Sequence, residues 1–256
     1  MAAVEAHAAN DVLYITFNRP DKLNALTVAD LGEVAALVTH PADHIKALVF
    51  TGAGSRSFSA GMHVDTFASL GPTDARHVIG QVRDFLAAVR TTPLPTAAMI
   101  NGYCLGAAFE LALACDLRVA TDDAQFGLPE VNVGIPSVAD AALLPAYVGL
   151  ARAKEIILTG DLYPAADLHR WGLLNRVVPR PRLQAETLGL LSRITRHTRT
   201  VLASQKRLFE VWQNTSLSEG IDVSTEEFAG VFEAAETLQQ VQRYRSSMRD
   251  SRGSAG

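Results

Sequence analysis

The sequence predicts an α/β core followed by a helical C-terminal region. Three observations carry this. Short apolar or β-branched runs alternate with helical patterns over roughly the first 180 residues. After Pro181 the apolar spacing is helical throughout. Apolar residues make up 48% of the 256-residue chain and charged residues 20%, which is enough to bury a sizeable core.

Val12–Phe17 (VLYITF) is predicted as a strand, stopped by the turn Asn18-Arg19-Pro20-Asp21. Val28–Val38 has apolar residues at helical spacing. Ala47–Phe50 is a short buried strand ending at Thr51-Gly52-Ala53-Gly54. Asp74–Val89 is an amphipathic helix with Val78, Val82, Phe85, Leu86 and Val89 on one face. Thr96–Ile100, Leu117–Ala120 and Arg176–Val178 are strands, and Ala139–Leu150 and Arg152–Leu158 are helices. The helical region comprises Leu183–Thr195, Arg199–Trp212 and a stretch from near Thr225 to Met248. The division expected is a strand-and-helix core over 1–180 and a helical region over 181–256. Leu202, Leu208, Phe209, Trp212, Phe228, Val231 and Phe232 make apolar faces there that need cover, from the chain's own core or from another subunit. The small polar tail Ser251–Gly256 is expected to fray.

Composition narrows the function classes. A net charge of −4 argues against nucleic acid as a partner. Cys104 and Cys115 have neither CxxC spacing nor histidines at ligand spacing, so buried thiols are expected rather than a disulfide or a metal site. The N-terminal MAAVEAHAAN lacks the basic and apolar regions of a signal peptide. No apolar run approaches the ~18–20 residues of a membrane span. A cytoplasmic protein without a membrane or nucleic-acid partner is expected.

Asn101–Asp116 (NGYCLGAAFELALACD) carries the chemistry. Glu110 is flanked by uncharged residues, Cys104–Phe109 before it and Leu111–Cys115 after it. A helix apolar all round is buried, so Glu110 has no solvated face. A buried carboxylate is costly, its pKa rises, and proton transfer is its commonest use. Three segments are candidates for one site. Phe58-Ser59-Ala60-Gly61 is small enough for backbone N–H groups to approach a ligand. Leu105-Gly106-Ala107-Ala108 opens the Glu110 helix with free N–H groups, and two such donors on one oxygen make an oxyanion hole. Gly127-Leu128-Pro129-Glu130 adds a second carboxylate on a rigid turn. Taken singly, these are a plain turn, a salt-bridged core acid and an exposed loop acid.

In order and spacing they are more specific. The segments ITFNRPDKLNAL (15–26), FSAGM (58–62), INGYCLGAAFELALACDLRVATDDAQFGLPEVNVGIP (100–136) and WGLLNRVVP (171–179) resemble the enoyl-CoA hydratase/isomerase, or crotonase, superfamily. The resemblance implies a spiral of repeated ββα units with C-terminal helices that build trimers, often paired as hexamers. It implies acyl-CoA thioester substrates and no metal or redox cofactor, coenzyme A being part of the substrate. Carried over by motif, Glu110 and Glu130 are the acid/base pair, and the N–H groups of Ala60 and Ala107 form the oxyanion hole. Gly106 and Met62 fall beside the substrate. The activity implied is enoyl-CoA hydration, with Glu110 activating water and Glu130 protonating Cα. Double-bond isomerisation, which one carboxylate can serve, and non-catalytic acyl-CoA binding are the alternatives.

Three departures bear on the site. His63 stands where many members have aspartate; it is a substrate-side residue or a surface histidine capping a short helix. Ser137-Val138-Ala139-Asp140 replaces a glycine-rich IPGAGG. Ser137 is expected to cap the following helix, and Asp140 is a first-turn helix acid or a third carboxylate near the substrate. Arg243 and Arg245 lie where a CoA-approaching motif is common and are CoA contacts or a solvated face.

Overall fold

The computed structural model describes the backbone of residues 2–253 and the side chains of residues 2–248. It opens with a hairpin whose second strand is the expected Val12–Phe17 and whose first has no counterpart among the expected elements. β1 (Val4–Ala9) pairs antiparallel with β2 (Val12–Phe17), from Val4↔Phe17 to Ala9↔Val12. Asn10 and Asp11 join them with φ of 48° and 62°, as a two-residue hairpin turn requires. Most of β1 is exposed, so its sequence carries no apolar alternation.

After α1 (Val28–Thr39) the chain repeats one pattern: a strand in a first sheet, a short strand in a second, then a helix. β3 (Ala47–Gly52), β4 (Ser57–Ser59) and α2 (Pro72–Thr91) make one such unit. β5 (Thr96–Ile100), β6 (Tyr103–Leu105) and α3 (Ala107–Ala114) make the next. β7 (Leu117–Thr121) and β8 (Gln125–Gly127) lead through 3-10 turns at Pro129–Val133 and Ala139–Leu143 into α4 (Leu144–Thr159). β9 (Tyr163–Pro164), α5 (Ala165–Arg170), β10 (Arg176–Val178) and α6 (Leu183–Thr195) follow. The first sheet runs β1-β2-β3-β5-β7-β10 and is parallel from β2 onward; the second runs β4-β6-β8-β9 and is parallel through β8. This is the ββα spiral that the resemblance implies.

Both faces of the first sheet are covered, which explains the continuous apolar runs ALVF and TAAMI. One face packs Ile15, Leu48, Phe50 and Ala98 against α1 and α2, with Val34, Val38, Phe85 and Leu86 buried there. The other packs Val12, Ala47, Val49 and Ala97 against Leu191 of α6. Leu183 of α6 packs on Val119 and Val178. The chain divides into two compact units, Met1–Arg193 and Ile194–Gly256. The change from core to helical region, expected at residue 180, thus falls after Arg193, because α6 seals the sheet.

The helices expected over Ala139–Leu150 and Arg152–Leu158 are present as a 3-10 turn and α4, whose two helical stretches meet at a kink at Gly149 (φ 77°, ψ 158°), slightly earlier than the expected break. In the second unit α7 (Arg199–Asn214) is followed by α8 (Leu217–Gly230) and α9 (Ala235–Gly253). The single helix expected from Thr225 is interrupted by a 3-10 turn, Val231–Glu233, and extended Ala234. Ser216 caps α8 by accepting from the Glu219 N–H, and an Arg207–Glu227 ion pair and the Trp212 Nε1–H to Ser224 Oγ bond (3.0 Å) tie α7 to α8. Phe209, Trp212, Leu217, Ile221 and Phe228 are exposed. Of the tail expected to fray, residues 254–256 lie outside the described residues. Among the described residues no helix is long and apolar enough to cross a membrane.

Candidate active site

β4, β6 and β8 lie side by side and parallel, with Ser59↔Cys104 and Leu105↔Gly127 in register. The three segments singled out in the sequence leave the same, C-terminal ends of these neighbouring strands. Strand pairing therefore brings residues about 20–70 positions apart to one place, the usual location of a ligand in such sheets. Ala60, Met62, Gly106, Ala107, Glu110 and Glu130 all line one cavity of about 290 Å³. Its remaining wall is almost wholly apolar, from Val64 and Phe67, from Ile79 and Val82 of α2, and from Val133, Ile135, Pro136 and Val138.

Every residue of α3 is buried. The helix is anchored at its far end by Arg118, whose Nη1 donates to Ala112 O (3.0 Å) and Cys115 O (2.6 Å), and whose Nε donates to Leu173 O (2.9 Å). A buried cation thus satisfies the C-terminal carbonyls that an eight-residue helix would leave bare. Behind it, Phe109 meets Phe126 edge-on at 5.5 Å. In this setting Glu110 is 4% exposed. Burial pushes its pKa up from 4.5 to about 8; the negative charges of Glu130 and then Asp140 add to the rise, and the Ala141 N–H partly offsets it.

Gly106 begins α3 at φ 53°, ψ −131°, a conformation suited to glycine. A Cβ there would sit 2.8 Å from Glu130 Oε1, so glycine leaves room for that carboxylate. Gly61 (φ 80°) is pressed against the same turn: a Cβ would fall 2.6 Å from Leu105 O and 2.9 Å from Ala107 N.

The donor expected at Ala60 is corrected. The Ala60 N–H already donates to Leu23 O (2.9 Å). One residue pair on, Leu26 donates to Gly61 O and His63 donates to Leu26 O (both 2.8 Å), a parallel bridge that turns the intervening Met62 N–H to the opposite side. Among the described residues neither the Met62 nor the Ala107 N–H has a hydrogen-bond acceptor, and both residues line the cavity. The Leu23–Leu26 segment that organises this loop is held by fully buried Asn24. Its Nδ2 donates to Ala53 O and Ser57 O, and its Oδ1 accepts from Arg19 N.

Glu130 is half-buried on the 3-10 turn after β8, and its Oε2 accepts from Ser137 Oγ (2.8 Å). Ser137 therefore does not cap the helix; Val138 occupies the cap position of the turn that follows, without a side-chain cap bond. Asp140 is in the first turn of that 3-10 helix but is buried, and Arg90 of α2 donates to both its carboxylate oxygens. It does not line the cavity; it lies behind Glu110 and acts on it through its charge. His63 also lies off the cavity wall, where its Nδ1 accepts from the Asp65 N–H (3.4 Å) at the start of a 3-10 turn. Arg243 and Arg245 are exposed on α9. Among the described residues no cluster of three or more His, Cys, Asp or Glu could hold a metal ion, and both cysteines are buried and outside any disulfide. Met62, Ser137 and Arg90 owe their positions to contacts across loops and had no local signal.

Comparison with known proteins settles the ancestry of this arrangement. The family description enoyl-CoA hydratase/isomerase matches residues 7–249. The chain belongs to the enoyl-CoA hydratase/isomerase family. It is 37% identical over 216 residues to a probable enoyl-CoA hydratase of Mycobacterium bovis, covering 81% of this chain and 80% of the relative. It is 34% identical over 240 residues to a mevalonyl-coenzyme A hydratase of Aspergillus fumigatus, covering 90% and 86%. The crystal structure of an enoyl-CoA hydratase from Bacillus anthracis superposes with a TM-score of 0.89 at 28% identity, over 96% of this chain and 97% of that one. Family membership accounts for the spiral and for the convergence of its strand ends.

Proposed function

We propose that this protein is an enoyl-CoA hydratase that adds water across the 2,3 double bond of a trans-2-enoyl-CoA. The observation that carries this is the pair Glu110 and Glu130 on the wall of one apolar cavity, beside the unengaged N–H groups of Met62 and Ala107. A conjugated thioester takes up negative charge on its carbonyl oxygen as water attacks Cβ. The two N–H groups, one at a helix N-terminus, are suited to that oxygen; one such donor contributes about 3–4 kcal/mol to the transition state. Glu110 takes a proton from water while the water oxygen bonds to Cβ, and Glu130 gives a proton to Cα. The order follows the geometry: Glu130 Oε1 lies over Gly106, beside the carbonyl-binding turn, whereas Glu110 is a helical turn further along. Cα is one bond from the carbonyl carbon and Cβ two. Glu110 acts as base in its ionised form, which burial makes the minor form below about pH 8.

The names of the two relatives, both hydratases, support hydration. Two carboxylates favour it over isomerisation, for which one suffices. The apolar wall supports an uncharged hydrocarbon acyl group. The exposed aromatic and aliphatic side chains of the second unit support assembly as a homotrimer or a dimer of trimers; a monomer by light scattering would contradict that.

Loss of enoyl-thioester absorbance with crotonyl-CoA and a longer 2-enoyl-CoA tests the activity. Turnover should collapse by about 10²–10⁴-fold in Glu110→Gln and in Glu130→Gln. Isomerisation of a 3-enoyl-CoA without hydration of a 2-enoyl-CoA would instead establish the isomerase.

A further inference from the structure

Glu130 has two oxygens in different surroundings. Oε1 lies over Gly106, close enough that a Cβ there would stand 2.8 Å away. Oε2 accepts from Ser137 Oγ at 2.8 Å. Ser137 sits seven residues further along, beyond the Ile135-Pro136 stretch of the cavity wall. Its hydroxyl has no capping role in the turn that follows. That turn is itself fastened: the Ala141 N–H donates to Val138 O (3.0 Å), and Arg90 of α2 holds buried Asp140. Ser137 is therefore presented from a pinned segment.

We propose that Ser137 is a positioning residue that holds Glu130 Oε2 away from the reacting carbon and makes Oε1 the oxygen that exchanges a proton with Cα. The proposal rests on Glu130 as the Cα acid/base group. A carboxylate on a two-carbon stem samples several rotamers. One bond from a fixed hydroxyl selects the rotamer that faces the thioester. Glycine, alanine or valine at this position would leave Oε2 without this hydroxyl donor. A misplacement of about 1 Å at a reacting group costs on the order of 10²-fold in rate.

The test compares the parent with Ser137→Ala and Ser137→Thr in two assays. The first is hydration of crotonyl-CoA. The second is exchange of the α-proton of saturated butyryl-CoA in D₂O, followed by proton NMR. In the exchange Glu130 takes the proton from Cα, the electron pair moves onto the thioester oxygen, and a deuteron returns to Cα. Ser137→Ala is expected to lower kcat for hydration and the exchange rate together by about 10–100-fold, with KM within about twofold of the parent. Ser137→Thr, which keeps the hydroxyl, is expected to restore most of both. A Ser137→Ala protein within twofold of the parent in both assays overturns the proposal. Equal losses in Ala and Thr variants also overturn it, because packing rather than the hydroxyl would then be at stake. A parent that exchanges without hydrating removes the hydratase assignment, while the exchange rates still decide on Ser137. A parent that does neither overturns the positioning role, since Glu130 then moves no Cα proton.

Discussion

Glu110→Gln should make the protein more stable at high pH while it removes the activity. The unfolded chain releases the Glu110 proton near pH 4.5, whereas the folded chain keeps it to about pH 8. Between those values the native state binds one proton more than the unfolded state, so stability falls as pH rises through this window and is flat from this group on either side. Each pH unit is worth about 1.4 kcal/mol, which sets a ceiling of about 5 kcal/mol on the penalty at pH 9. Desolvation is the largest cause, so a neutral glutamine of the same shape escapes most of it. The assay is urea denaturation of parent and variant at pH 5 and at pH 9. The variant's advantage should grow by a few kcal/mol between the two, about 2–4 °C of melting temperature for each kcal/mol. An advantage equal at both pH values, or larger at pH 5, would refute the account of Glu110 as a desolvated acid.

Ala107→Pro deletes the N–H proposed to bind the thioester oxygen, at the first position of α3 where proline is tolerated; the fold should persist by circular dichroism while crotonyl-CoA hydration falls about 10²–10³-fold. Gly106→Ala adds a Cβ 2.8 Å from Glu130 Oε1 at a positive φ, so kcat should drop at least about tenfold with much smaller change in KM in the same assay. Asn24→Ala leaves the carbonyls of Ala53 and Ser57 without their side-chain donor, and denaturant melts should show a loss of about 2–4 kcal/mol.

Long periodic segments were legible in the sequence for a physical reason. β2, β3, β5 and α2 bury enough consecutive positions to write a period of two, an apolar run or a 3.6 repeat. β4, β6 and β8 have three residues each, too few for any period, so the second sheet went unseen although it organises the site. Glu110 was legible because a lone charge in an apolar helix stands out. Glu130 and the helix start at Leu105–Ala108 were local candidates, and the family resemblance gave them their expected roles. The two N–H groups expected to serve the oxyanion hole differ in how far local rules fix their state. The Ala107 N–H is free by its rank in a helix, a local property. Whether Ala60 or Met62 offers its N–H depends on how the 58–63 loop pairs with Leu23 and Leu26, which no local rule contains. Ser137 was misassigned for the same reason: capping is a local rule, and its partner lies across the pocket wall on another turn.

Cys104, in the strand that leads into the Glu110 helix, is fully buried and donates its Sγ–H to Ala108 O at 3.4 Å. Burial pushes its thiol pKa well above the ordinary value, and the nearby Cys115, also buried, adds to this. Neither sulfur can react with an aromatic disulfide reagent from the closed state, because both are buried and, at Cys104, burial also disfavours the attacking thiolate. Colour release on mixing thus acts as a clock for transient opening of the very segment that carries the Glu110 helix. Slowing of that clock by a saturated acyl-CoA would measure how far an occupied pocket holds the segment shut, with no turnover required.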